Sequence, residues 1–177
     1  MSLTKQISKT CLFTVLDDME SGLAARTDVV QPTDLSPTRF DIIKGRLEST
    51  ESGPPITMLP TMLQCLAGIK ESLRTLNDNP VVPKSEANQE LIEELEVEAF
   101  ALGAASIGFA KLPARWVFQD KAVVYDNAIV LTMEMEADGI NSAPSAACMK
   151  TVMETYRDLG RISNKLAGFL RERGYGA

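Results

Sequence analysis

Between Ile56 and Leu76, apolar residues recur at 59, 62, 63, 66, 69, 73 and 76. Steps of three and four mark one face of an α-helix. Asn77-Asp78-Asn79-Pro80 follows, and the residue before a proline is pushed out of the helical region, so a stop is expected there. A second helix is read from Leu91, Ile92, Leu95, Ala99 and Leu102. Ser85 is its expected N-cap and Gly103 its C′ residue. The other side of that helix is acidic, with Glu90, Glu93, Glu94, Glu96 and Glu98. The longest stripe is Met149, Val152, Met153, Tyr156, Leu159, Ile162, Leu166, Phe169 and Leu170. It predicts a helix running to Arg173 and ended by Gly174, capped by Ser142 or Ala143 with Pro144 in the first turn.

Two segments change period. ASIGFAKL, residues 105–112, reads as a short strand, and NAIVLTMEME, residues 127–136, as a longer one. In the second, Ile129, Leu131, Met133 and Met135 share one face, and Val130, Thr132, Glu134 and Glu136 share the other. A loop joins the two strands, so their pairing sense stays open. Near the start of the chain, residues 3–24 predict a helix ended by Gly22. QPTDLSPTRF is a loop, FDIIKGRLE an amphipathic piece, and SGPP at 52–55 a break. The fold class is therefore α+β, a few-stranded sheet packed by long helices. Residues 1–53 are read as an N-terminal helical arm and loop, and residues 54–177 as the α+β domain. Two strands make a weak sheet, so either further strands lie in 29–55 and 116–125 or a second chain supplies them.

Composition narrows the chemistry. Hydrophobic residues make up 45% and charged residues 24%, as in ordinary globular domains. Asp and Glu outnumber Lys and Arg by 24 to 18, giving a net charge of −6, and no basic cluster is present. Such a surface repels phosphate backbones, so no nucleic-acid partner is expected. The longest apolar stretch, residues 99–110, is shorter than the roughly 20 residues a membrane span needs. No leader pattern precedes Asp17, Asp18 and Glu20, so no membrane association and a cytoplasmic location are expected. The chain has no histidine, and Cys11, Cys65 and Cys148 are far apart in sequence. Imidazole-based triads are excluded, and no metal-ligand spacing is present.

The run AFALGAASIGFAKLP, then RWVFQ, then YDNAIVLTMEMEADGINSAPS, then YRDLGRISNKLAGFLRERGYGA occupies residues 99–177. In order and spacing it resembles the N-terminal part of the iron–sulfur oxidoreductases related to epoxyqueuosine reductase and corrinoid reductive dehalogenases. The resemblance implies part of a nitroreductase-like fold, and a cradle for cobalamin in the best-known members. It also implies two iron–sulfur clusters on cysteine runs that follow the "GY.A" segment. No such cysteine run is present, so electron transfer is not carried over, and the α+β domain is read as truncated at its C-terminus. By itself the chain is expected to hold no cofactor; cobalamin enters through the resemblance alone.

Candidate site residues are few. Glu134 and Glu136, alternating on a strand, offer a carboxylate pair for acid/base work, or the solvated face of an edge strand. Met133 and Met135, with Met149 and Met153, offer a soft lining for a flat ligand, or core filling. Trp116 offers a ring to stack on a ligand, or an anchor for its loop. Tyr175, between two glycines, offers its ring to a ligand, or belongs to a frayed end. The expected function is a cofactor- or substrate-binding module resembling the front half of an iron–sulfur/corrinoid oxidoreductase, without a redox centre of its own. The alternative is a non-catalytic dimerising interaction domain. The expected partner is a second copy or an iron–sulfur partner or continuation.

Overall fold

The computed structural model describes residues 19–36, 56–119 and 121–177. Residues 3–18 of the expected first helix lie outside those residues, as do FDIIKGRLE and SGPP. Residues 19–24 are helical, so Gly22 sits within the last turn instead of ending it. Residues 31–36 have no helix or strand, as the Pro/Thr/Asp pattern predicts.

A 3₁₀ turn at Ile56–Met58 leads into helix α1, Leu59–Thr75, with Pro60 in its first turn where no N–H is required. A second 3₁₀ turn, Leu76–Asp78, closes it, and Asn79 is extended ahead of Pro80. Helix α2 spans Gln89–Ala101. Its cap is Asn88, not Ser85: the Asn88 side chain accepts the Leu91 N–H at 3.0 Å. Residues 84–86 are held instead by contacts with the C-terminal tail, which leaves Ser85 outside the helix. At the other end Gly103 takes φ +106°, as its C′ placement predicts. Gly103 N–H donates to Phe100 C=O and Ala104 N–H to Ala99 C=O, both at 3.0 Å, the two bonds of a Schellman closure.

Strand β1 is Ser106–Lys111 and strand β2 is Asn127–Thr132, paired antiparallel in a two-stranded sheet. Register is marked by the Ser106–Thr132 hydroxyl pair at 2.6 Å and by the Leu112 N–H to Asp126 C=O bond at 2.7 Å. Strand β2 stops at Thr132, short of the expected Glu136. Ala105 N–H bonds Thr132 C=O, and the segment before β1 turns away through Gly103, so residues 133–136 have no strand to pair with among the described residues.

Helix α3, Ala137–Asn141, was not legible in the strand pattern. Helix α4 follows at Ala146–Glu172, about 40 Å long at 1.5 Å per residue. Ser145 caps it, accepting the Cys148 N–H at 3.1 Å. Ser142 serves α3 instead, donating to Gly139 C=O at 2.7 Å. Gly174, φ +86°, ends α4 with a second Schellman closure: Gly174 N–H to Arg171 C=O and Tyr175 N–H to Leu170 C=O.

The fold is α+β. Packing divides it into two units. One takes the described residues of Met1–Ile56 with Phe109–Ala128; the other takes Thr57–Gly108 with Ile129–Ala177. In the second unit the core is Leu95, Ala99, Ala104, Ile162 and Leu166, flanked by Leu102, Ile107, Ile129, Leu131, Met133, Phe169 and Leu170. Helices α1 and α4 are joined there by a 2.9 Å bond from Asn164 Nδ2 to Gly68 C=O. In the first unit Val117 and Ala122 are buried, and an isolated antiparallel bridge joins Val30 to Val123. Among the described residues no helix is long and apolar enough to cross a membrane.

Candidate functional site

The Val30–Val123 bridge is made by Val30 N–H to Val123 C=O at 2.8 Å and the reciprocal bond at 3.4 Å. It brings two distant segments together around a cavity of about 400 Å³. Val29, Val30, Leu112 and Val124 supply an apolar wall, and Asp28, Tyr125 and Asp126 supply polar groups. Asp126 pairs with Lys111 at 2.7 Å, and this hydrogen bond holds its carboxyl below the usual range. Asp28 is held low in the same way by its paired Arg26. Both carboxylates therefore stay ionised at neutral pH, as acceptors and not as proton donors. The hollow is open and its lining is about half polar, so its geometry alone selects no ligand class. Nearby, the buried Ser36 hydroxyl accepts Thr33 N–H at 2.9 Å and donates to Ala114 C=O at 3.3 Å.

A second constellation surrounds the tail. Lys84 N–H donates to Gly174 C=O at 2.9 Å, and Tyr175 Oη donates to Glu86 C=O at 3.0 Å. Ala177 N–H donates to Asn79 Oδ1 at 2.9 Å, while Arg171 Nη1 donates to Ala177 C=O at 2.6 Å. The Lys84 ammonium lies 5.3 Å from the Tyr175 ring centroid, within cation–π range. Tyr175 is thus neither frayed nor open to a ligand on its hydroxyl side: it clips residues 174–177 to the α1–α2 connector. Gly174→Ala is expected to cost about 1 kcal/mol, because L side chains disfavour that φ. Thermal melting should show a loss of roughly 2–4 °C.

The remaining candidates are placed apart. Glu134 and Glu136 lie beyond the end of β2 and are both exposed; Glu136 occupies the N-cap position of α3 without a side-chain cap. Met133 packs against the buried cluster, whereas Met135 is 47% exposed. Trp116 closes a 3₁₀ turn, Ala114–Trp116, and is 62% exposed, so burial does not anchor it. Its ring centroid is 6.0 Å from the Arg115 guanidinium.

Cys65 donates to Met153 C=O at 3.6 Å, and burial pushes its thiol up despite Arg157 nearby, the opposite of what a reactive cysteine needs. Cys11 lies outside the described residues. Among the described residues no three His, Cys, Asp or Glu side chains gather as a metal-holding group. Sequence reasoning missed Asp28 and Asp126 because a long-range bridge assembles their cavity; the short run of β-prone residues Val123, Val124 and Tyr125 is the trace it leaves in the sequence. No protein-family model, curated protein or solved structure matches this chain.

Proposed function

We propose that the chain is a binding module without a redox centre of its own, similar in role to the front half of the iron–sulfur oxidoreductases it resembles. It holds a partner and performs no chemistry alone. The observation that carries this reading is apolar surface left over after folding: Val97, Phe100 and Trp116 are each more than half exposed on defined elements. The carboxylates Glu134 and Glu136 face solvent, and every buried side-chain nitrogen or oxygen among the described residues already has a partner.

A specific feature favours a second copy as one such partner. Among the described residues, β1 and β2 have no third strand, so each presents an unpaired backbone edge. Such edges invite another strand, and closed two-fold pairing is the commonest way to supply one. Light scattering at micromolar concentration should report twice the 19.3 kDa chain mass; the chain mass alone would remove the dimer. The resemblance adds a corrinoid arm. Cobalamin titrated into the protein should change its absorbance saturably; an unchanged spectrum would end that arm.

A further inference from the structure

We propose that the outer face of α2 is a docking site for a cationic amphipathic helix of another protein. The proposal rests on the reading of the chain as a binding module and names the partner's chemistry. Leu91, Leu95 and Ala99 turn inward and are buried. At about 100° per residue, Glu90, Glu93, Val97, Phe100 and Ala101 fall on the opposite side, and all five are exposed. Val97 is 68% and Phe100 52% exposed, one helical step apart. The face is therefore graded: carboxylates along its first two turns, apolar groups along its last.

The carboxylates decide what can cover it. Glu94, on the flank, is occupied by Arg173 at 2.9 Å. Glu93 receives only a 3.0 Å bond from Gln89 and stays exposed. A second copy laid parallel would press Glu90 and Glu93 against their counterparts, and like charges in contact are strongly unfavourable. Laid antiparallel, it would bury those carboxylates against Val97 and Phe100 without partners. A helix with Lys or Arg near one end and apolar residues at steps of three and four near the other satisfies both halves. Asn88 and the Schellman closure fix both ends of α2, so the face is presented without an ordering cost.

The test uses a labelled lysine/leucine peptide patterned as an amphipathic helix, with a scrambled peptide of equal composition as control. Fluorescence anisotropy should show binding of the patterned peptide and at least about tenfold weaker binding of the scrambled one. Val97→Ser with Phe100→Ser should weaken binding about tenfold or more. Glu90→Gln with Glu93→Gln should weaken it and flatten its salt dependence. Glu134→Gln with Glu136→Gln, the same charge change elsewhere, should leave it unaltered. Equal binding of both peptides, or equal weakening by the Glu134/Glu136 pair, would overturn the proposal. So would indifference to Val97→Ser with Phe100→Ser. Because those serines lie away from the strand edges, a dimer that persists in that variant keeps the binding-module reading separate from this one.

Discussion

Ile162→Ala is expected to remove about 2–5 kcal/mol of stability, the largest effect of any truncation considered. Ile162 is fully buried on α4, at the centre of the cluster with Leu95, Ala99, Ala104 and Leu166. Alanine there loses the transfer free energy of its missing carbons and leaves a void between α2, α4 and the sheet. The core has few fully buried members among the described residues, so little is available to refill it. A domain holds about 5–15 kcal/mol in all, so the variant should unfold at markedly lower urea. Tyr156→Ala on the same helix is the control. Tyr156 is 63% exposed, and its loss should shift stability by no more than about 0.5 kcal/mol. Equal shifts for the two variants would place Ile162 outside the core.

Gly139→Ala is the second large effect. Alanine normally favours a helix over glycine by about 0.5–1 kcal/mol, so propensity alone predicts a gain. Packing reverses the sign. A Cβ on Gly139 would overlap Thr151 Oγ1 and stand 2.9 Å from Thr151 Cβ. Rotation of Thr151 can move its hydroxyl but not its Cβ, so α3 must shift away from α4, at a cost of about 1–3 kcal/mol. Thr151→Gly removes all three close atoms. In that background Gly139→Ala should turn neutral or stabilising, a coupling that a double-mutant cycle in urea reads directly. A stabilising Gly139→Ala in the wild-type background would mean that α3 does not pack on α4 as described.

What could be read from residues alone was what periodicity and backbone chemistry encode locally. α1 and α2 follow from their steps of three and four, and Gly103 and Gly174 were placed because positive φ at C′ favours glycine. What failed was set by distant contacts. The α2 cap moved from Ser85 to Asn88 because Lys84 and Glu86 bond the tail. β2 lost its last residues because its partner turns away at Gly103. Tyr156 joined the apolar stripe of α4 by spacing. Yet it lies roughly 100° around the helix from the Ile162–Leu166 line, on a flank where it is 63% exposed. Of the candidate site, Tyr175 was legible as a residue but not as a clip. The Asp28–Asp126 cavity was not legible, since a bridge between distant segments creates it.

We propose that a second copy of this chain attaches along β1 and β2, which have no third strand among the described residues. Amide hydrogen exchange, followed as protein concentration is raised from submicromolar to hundreds of micromolar, tests it most directly. Protection over Ser106–Lys111 and Asn127–Thr132 should rise with concentration, while the α4 amides around Ile162 stay unchanged. Strand protection that is the same at every concentration, in a protein whose α4 amides are protected throughout, would contradict it.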